Sequence, residues 1–163
     1  MERSEAVKTL AEKIKGINTV MYATIAKEQY IHARPMAVQQ MEFDGDFWFM
    51  TSEESTKIHE IEKDSHVNLT FVDHGKSTYV SVSGKAMIIK DQQKIDELWN
   101  DFYKAWFPKG KEDPSIRLIK VQVDSAEYWD VPGGKMAMIT GFIKSLVTGK
   151  PADDIGENEE LKL

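Results

Sequence analysis

Six segments of the chain read as β-strands with few helices between them, and this limits the fold more than any other feature. They are Thr19–Ile25, Ile31–Phe43, Phe47–Met50, Val67–Val72, Thr78–Lys90 and Ile116–Trp129, each rich in β-branched and aromatic residues. Parallel neighbours would need a crossover helix between most pairs, so the pattern argues for an antiparallel sheet. A sheet of this size usually closes or half-closes to remove its edges, which makes a small barrel the expected architecture.

The turns agree with that reading. Lys27-Glu28-Gln29, Asp44-Gly45-Asp46 and Asp73-His74-Gly75-Lys76 separate successive strands, and Gly84 is a candidate bulge within the fifth. Helical spacing of apolar residues predicts an amphipathic helix over 4–16 with a possible Ser4 cap, and a short one over 55–63 capped by Ser55. Ile95, Leu98, Trp99, Phe102 and Trp106 predict another that ends before Pro108, and 136–147 is apolar enough for a last. No repeat or linker divides the chain. Residues 1–150 are expected to form one domain with flanking helices, and 151–163 an acidic, disordered tail.

Composition removes several kinds of chemistry. The chain has no cysteine, so thiolate catalysis, disulfides and cysteine-based metal sites are excluded. A net charge of −6 disfavours a phosphate backbone as partner unless basic residues cluster, and they do not. The first residues lack a signal-peptide pattern and no apolar run approaches a membrane span, so a cytoplasmic location is the expectation. His32, His59, His66 and His74 show neither metal-ligand nor triad spacing.

Arginine is scarce: Arg3, Arg34 and Arg117 stand against 18 lysines (21 − 3). Arg34 lies in an apolar strand, where a planar five-donor cation is costly unless it meets an anion or carbonyls. The next residue, Pro35, deletes a ladder donor, which edges and bulges tolerate. Farther on, Thr51, Ser52, Ser55 and Thr56 bring four hydroxyls to Lys57 where a strand hands over to a helix. A helix N-terminus with hydroxyl donors and an ammonium suits a terminal phosphate, provided Glu53 and Glu54 point away. Taken alone, Ser55 could be an ordinary cap and Lys57 a solvated lysine.

Together these segments resemble the pyridoxamine 5'-phosphate oxidase-like FMN-binding split-barrel proteins, most closely their general stress protein 26 branch. The likeness rests on Arg34-Pro35-Met36, Phe49-Met50-Thr51-Ser52 with Ser55-Thr56-Lys57, Val82-Ser83-Gly84-Lys85-Ala86, Trp106-Phe107-Pro108-Lys109-Gly110 and Glu127-Tyr128-Trp129-Asp130. It implies a mainly β fold, a six-stranded antiparallel split β-barrel of Greek-key type with flanking helices. It also implies a homodimer with two FMN sites at the interface. By the family pattern Arg34, Ser55, Thr56 and Lys57 hold the phosphate, Pro35, Met36, Met50 and Thr51 line the ring system, and Gln39 matches a position near the flavin that is often lysine; Ser52 is a further candidate cofactor contact. Tyr79 and Trp129 resemble contributions from the partner subunit.

One departure matters. True pyridoxamine phosphate oxidases carry basic and histidine residues after the final tryptophan, whereas Trp129 is followed here by Asp130-Val131-Pro132-Gly133-Gly134-Lys135. The resemblance therefore does not carry vitamin B6 oxidation with it. Three readings stay open: an FMN-dependent oxidoreductase, in which the cofactor does the chemistry and no side chain need be catalytic; a non-enzymatic flavin-binding or sensing stress protein; and a related barrel holding haem or a deazaflavin, with His74 the available axial ligand.

Overall fold

The structure, a computed structural model, describes residues 2–39, 42–149 and 156–163. Along the chain run α1 (Arg3–Ile14), β1 (Thr19–Ile25), β2 (Ile31–Ala37), β3 (Asp46–Ser52), α2 (Thr56–Lys63), β4 (His66–Asp73), β5 (Thr78–Ile89), α3 (Gln92–Leu98), β6 (Ile116–Asp130), α4 (Gly134–Thr148) and β7 (Glu157–Lys162). All strand pairs are antiparallel, in the order β2-β1-β4-β5-β6-β3. β3 takes residues 116–122 along one edge of β6 and β7 takes 125–130 farther along.

Alternation decides what the sheet encloses. Val20, Tyr22 and Thr24 of β1, Val67, Leu69 and Phe71 of β4, and Val80 and Val82 of β5 are buried, while most of the residues between them are not. The sheet curls enough to bring its ends together: the Tyr22 ring of β1 meets the Phe49 ring of β3 edge-on, centroids 5.1 Å apart. β2 pairs only with β1 and β3 only with β6, so among the described residues the seam between them is open. The result is the expected mainly β, curled antiparallel half-barrel with flanking helices. α1 covers it with Ala6, Leu10 and Ile14, and α2 with Ile58 and Ile61.

The unbroken apolar run Phe47-Trp48-Phe49-Met50 has a two-sided explanation. Phe47 and Phe49 enter the main core. Trp48 and Met50 turn the other way, against a second cluster of Ile95, Leu98, Tyr103, Phe107, Ile116 and Leu118. A strand covered on both faces has no reason to alternate.

Gly84 is the bulge. Ser83 pairs with Ser125 but Gly84 with Val123, leaving Asp124 as the extra residue, and a Cβ at position 84 would sit 2.3 Å from the Gln122 carbonyl oxygen.

Several expectations need correction. α1 starts at Arg3, so Ser4 lies inside it, and the flanking Glu2 makes no side-chain cap. The second strand stops at Ala37 rather than Phe43; positions 40 and 41 of that expectation lie outside the described residues. The helix expected across 95–106 breaks, because the Asn100 side chain accepts the Phe102 N–H at 3.0 Å and starts a separate 3₁₀ turn over Asp101–Ala105. The tail is not disordered throughout. Glu157–Lys162 form the seventh strand, because Leu161 is an apolar plug in the main core and the Tyr128 hydroxyl donates to Glu159 at 2.9 Å. Residues 151–155 lie outside the described set.

Candidate functional site

The site grows from three inward-facing rows at one end of the half-barrel. Cross-strand partners share a face, and the β1–β2 register sets Met36 opposite Val20, Arg34 opposite Tyr22 and His32 opposite Thr24. Arg34 and His32 therefore point to the inner side of an edge strand, beside buried Thr24. β3 ends in Thr51, which is buried two residues beyond Phe49 and so faces inward as well.

The link from β3 to α2 is tight: the Glu53 N–H donates to the Ser115 carbonyl at 2.8 Å and the Ser55 N–H to Ser52 at 3.0 Å. Glu53 turns away to pair with Arg117, and Glu54 is exposed, as an anion site requires. Ser55 occupies the N-cap position of α2 but makes no side-chain cap. Its hydroxyl instead accepts from the Lys57 ammonium at 2.7 Å, and Lys57 also donates to the Thr51 hydroxyl at 2.9 Å. Burial, and then the nearby Arg34 charge, push the Lys57 pKa below the ordinary lysine value, with Glu60 opposing them.

Arg34 is held by three acceptors, with His32 beside them. Nη1 donates to the Thr24 hydroxyl at 2.7 Å and lies 3.4 Å from the Tyr22 carbonyl. Nη2 donates to Glu60 Oε2 at 2.6 Å and lies 2.9 Å from His32 Nδ1. Glu60, one turn along α2 from Lys57, also accepts from the Thr24 hydroxyl at 2.5 Å, and its Oε1 lies 3.1 Å from His32 Nδ1. Burial alone would raise the Glu60 pKa, but the bonds from Thr24, His32 and Arg34 and the guanidinium charge outweigh it and hold it at about 2. Glu60 is therefore a carboxylate at any physiological pH.

The other expected residues divide. Thr56 is exposed at the first position of α2, while Ser52 accepts the Glu54 N–H at 3.4 Å and so serves the turn. Met36 packs against the main core, and Pro35 is exposed on the unpaired strand edge opposite Met21. Met50 faces the second cluster, and the Gln39 amide donates to the Tyr103 hydroxyl of that same cluster. Tyr79 and Trp129 pair with each other across β5 and β6. Thr51 pairs with Arg117, so Trp129 lies up to ~40 Å away along β6 at about 3.3 Å per residue. One chain does not bring that pair to Lys57.

Glu60, Thr24 and His32 are the participants that sequence reasoning missed. The signal for Glu60 was present: it stands at helical i+3 spacing from Lys57, and Arg34 in an apolar strand called for an anion or carbonyls. Among the described residues no group of three or more His, Asp or Glu is placed to hold a metal ion, and no helix is long and apolar enough to cross a membrane.

Fold and site together define a curled antiparallel β protein with a basic, hydroxyl-lined cradle at one end of its half-barrel. The family model described as pyridoxamine 5'-phosphate oxidase like matches residues 5–153, and the chain belongs to that family. Protein bli-3 of Neurospora crassa is 30% identical over 143 residues, which span 82% of this chain and 68% of that protein. General stress protein 26 of Bacillus subtilis is 31% identical over 75 residues, 44% of this chain and 53% of that one. Among solved structures, the general stress FMN/FAD-binding protein of Xanthomonas citri is 29% identical, with a TM-score of 0.67 over 78% of this chain and 89% of that chain. A structure from Jannaschia sp. CCS1, 21% identical, matches the fold over 99% of this chain and 100% of that chain, with a TM-score of 0.76.

Proposed function

We propose that this chain is a flavin-binding stress protein that holds FMN by its phosphate at the start of α2. The observation that carries the reading is the Lys57 ammonium joined to the Thr51 and Ser55 hydroxyls beside an α-helical N-terminus without a side-chain cap. A phosphate monoester needs charge-assisted donors, and these groups supply them together with the first N–H groups of α2. Thr56, exposed at the same turn, adds a third hydroxyl-bearing position. The general stress FMN/FAD-binding protein of Xanthomonas citri supports the same ligand class.

In this reading Arg34 lies behind the phosphate position as a second cation, and Pro35, Met36, Met50 and Gln39 border the ring system. Tyr79 and Trp129 reach a site only from a second copy, because their own chain places them at the far end of β6. The protein is thus proposed to act as a homodimer with a cofactor site shared between subunits. Bound FMN would supply hydride or electron transfer, and the protein's share is to bind it, orient it and shield it.

The test is reconstitution. Protein mixed with excess FMN and desalted retains about one FMN per chain by absorbance; a colourless product contradicts the reading. Steady oxidation of NADH or NADPH by the loaded protein marks an oxidoreductase. Retention without turnover by either nucleotide marks a binding or sensing role.

A further inference from the structure

We infer that Glu60 sets the charge of the phosphate site: it occupies Arg34 as an internal counter-ion and leaves Lys57 as the cation that receives the ligand. The inference rests on the phosphate-site reading and departs from the family pattern, in which Arg34 itself holds the phosphate.

The geometry carries it. Both terminal guanidinium nitrogens of Arg34 are already engaged, by Glu60 on Nη2 and by Thr24 and the Tyr22 carbonyl on Nη1. The bond to Glu60 is short, 2.6 Å, and both side chains are largely shielded, with 16% and 15% of their surfaces exposed. A guanidinium held this way cannot turn its fork toward a phosphate without breaking a shielded ion pair, which is costly. Among the described residues Lys57 has no carboxylate bonded to it: its ammonium rests on two hydroxyls that a phosphate oxygen can join or replace.

Charge points the same way. Lys57 and Arg34 bring two positive charges and Glu60 one negative, leaving one net positive charge to meet the roughly −1.5 to −2 of a phosphate monoester. Glu60 therefore weakens the site for dianions. Thr24, buried beneath, ties the pair down by donating to Glu60 while accepting from Arg34. His32, half exposed, touches both partners from the rim.

The experiment measures dissociation constants for FMN and riboflavin with wild type and Glu60→Gln at low and moderate salt. Gln keeps the shape and can still accept the Thr24 hydroxyl. Glu60→Gln is expected to bind FMN roughly 3- to 10-fold more tightly, the gain of about one unit charge acting across a partly shielded site, with riboflavin unchanged and a steeper salt dependence for FMN. Weaker or unchanged FMN binding overturns the inference, since it would mean that Glu60 aims Arg34 at the phosphate or only braces the fold. Should Glu60→Gln fail to fold, the double variant Arg34→Met with Glu60→Gln, which removes the ion pair and keeps the net charge, decides: a loss below about threefold, beside a loss above tenfold for Lys57→Ala, agrees, and equal losses overturn the inference. A wild type that does not distinguish FMN from riboflavin removes the phosphate site itself, a different failure.

Discussion

The Tyr22 hydroxyl is buried in the core with no hydrogen-bond partner among the described residues, while its ring packs on Phe49. Burial raises its pKa well above the ordinary tyrosine value, against the pull of Arg34. An unpaired buried hydroxyl costs of order 1–3 kcal/mol, so Tyr22→Phe should leave stability unchanged or raise it by about 1 kcal/mol in urea unfolding. A clear loss would reveal a partner. Glu60 gives a second prediction at this scale. Folding lowers its pKa from the ordinary 4.5 to about 2, so its contribution is complete above 4.5 and is lost as pH falls toward 2. The urea midpoint of wild type should fall more steeply than that of Glu60→Gln across this window, and parallel curves would contradict the ion-pair geometry. Sequence reasoning asked for an anion or carbonyls at Arg34. It did not show that the anion comes from the protein's own α2, because only the curl of the sheet sets the inner face of β2 against that helix.

Elements with strong local signals follow the sequence closely: the hairpins β1–β2 and β4–β5, and the handover from β3 to α2 around Thr51–Lys57; the register shift falls at Gly84, with its extra residue on β6. Those that depart do so for nonlocal reasons. β7 reads as an acidic tail because its strand character comes from pairing with β6 and from one residue, Leu161, only 2% exposed. Leu161→Ala should therefore destabilise the protein by about 2–4 kcal/mol, a core effect from a residue two positions from the C-terminus. A change below about 0.5 kcal/mol would mean that the strand adds little. Gly84→Ala tests the bulge, because its methyl group would collide with backbone at the Gln122 carbonyl. A loss of at least about 1–3 kcal/mol is expected, and no loss would contradict the close approach.

At the scale of the whole molecule, the open seam between β2 and β3 and the long β6 place the expected flavin contacts in two groups that one chain does not join. Sedimentation should accordingly give a particle of twice 18.6 kDa, and a monomer that still retains FMN would separate Tyr79 and Trp129 from the site. The half-barrel was legible in the strand pattern, the family in the order of short motifs, and the meeting of Lys57 with Thr51 and Ser55 in one segment of the sequence. The restraint that Glu60 places on the cradle was not. The central claim is that Lys57 receives the flavin phosphate, and calorimetric titration of FMN into wild type and Lys57→Ala tests it most directly. Losing a hydrogen bond to a charged group costs about 1.5–3 kcal/mol, so the variant should bind about 10- to 150-fold more weakly. Equal dissociation constants for the two proteins would contradict the account.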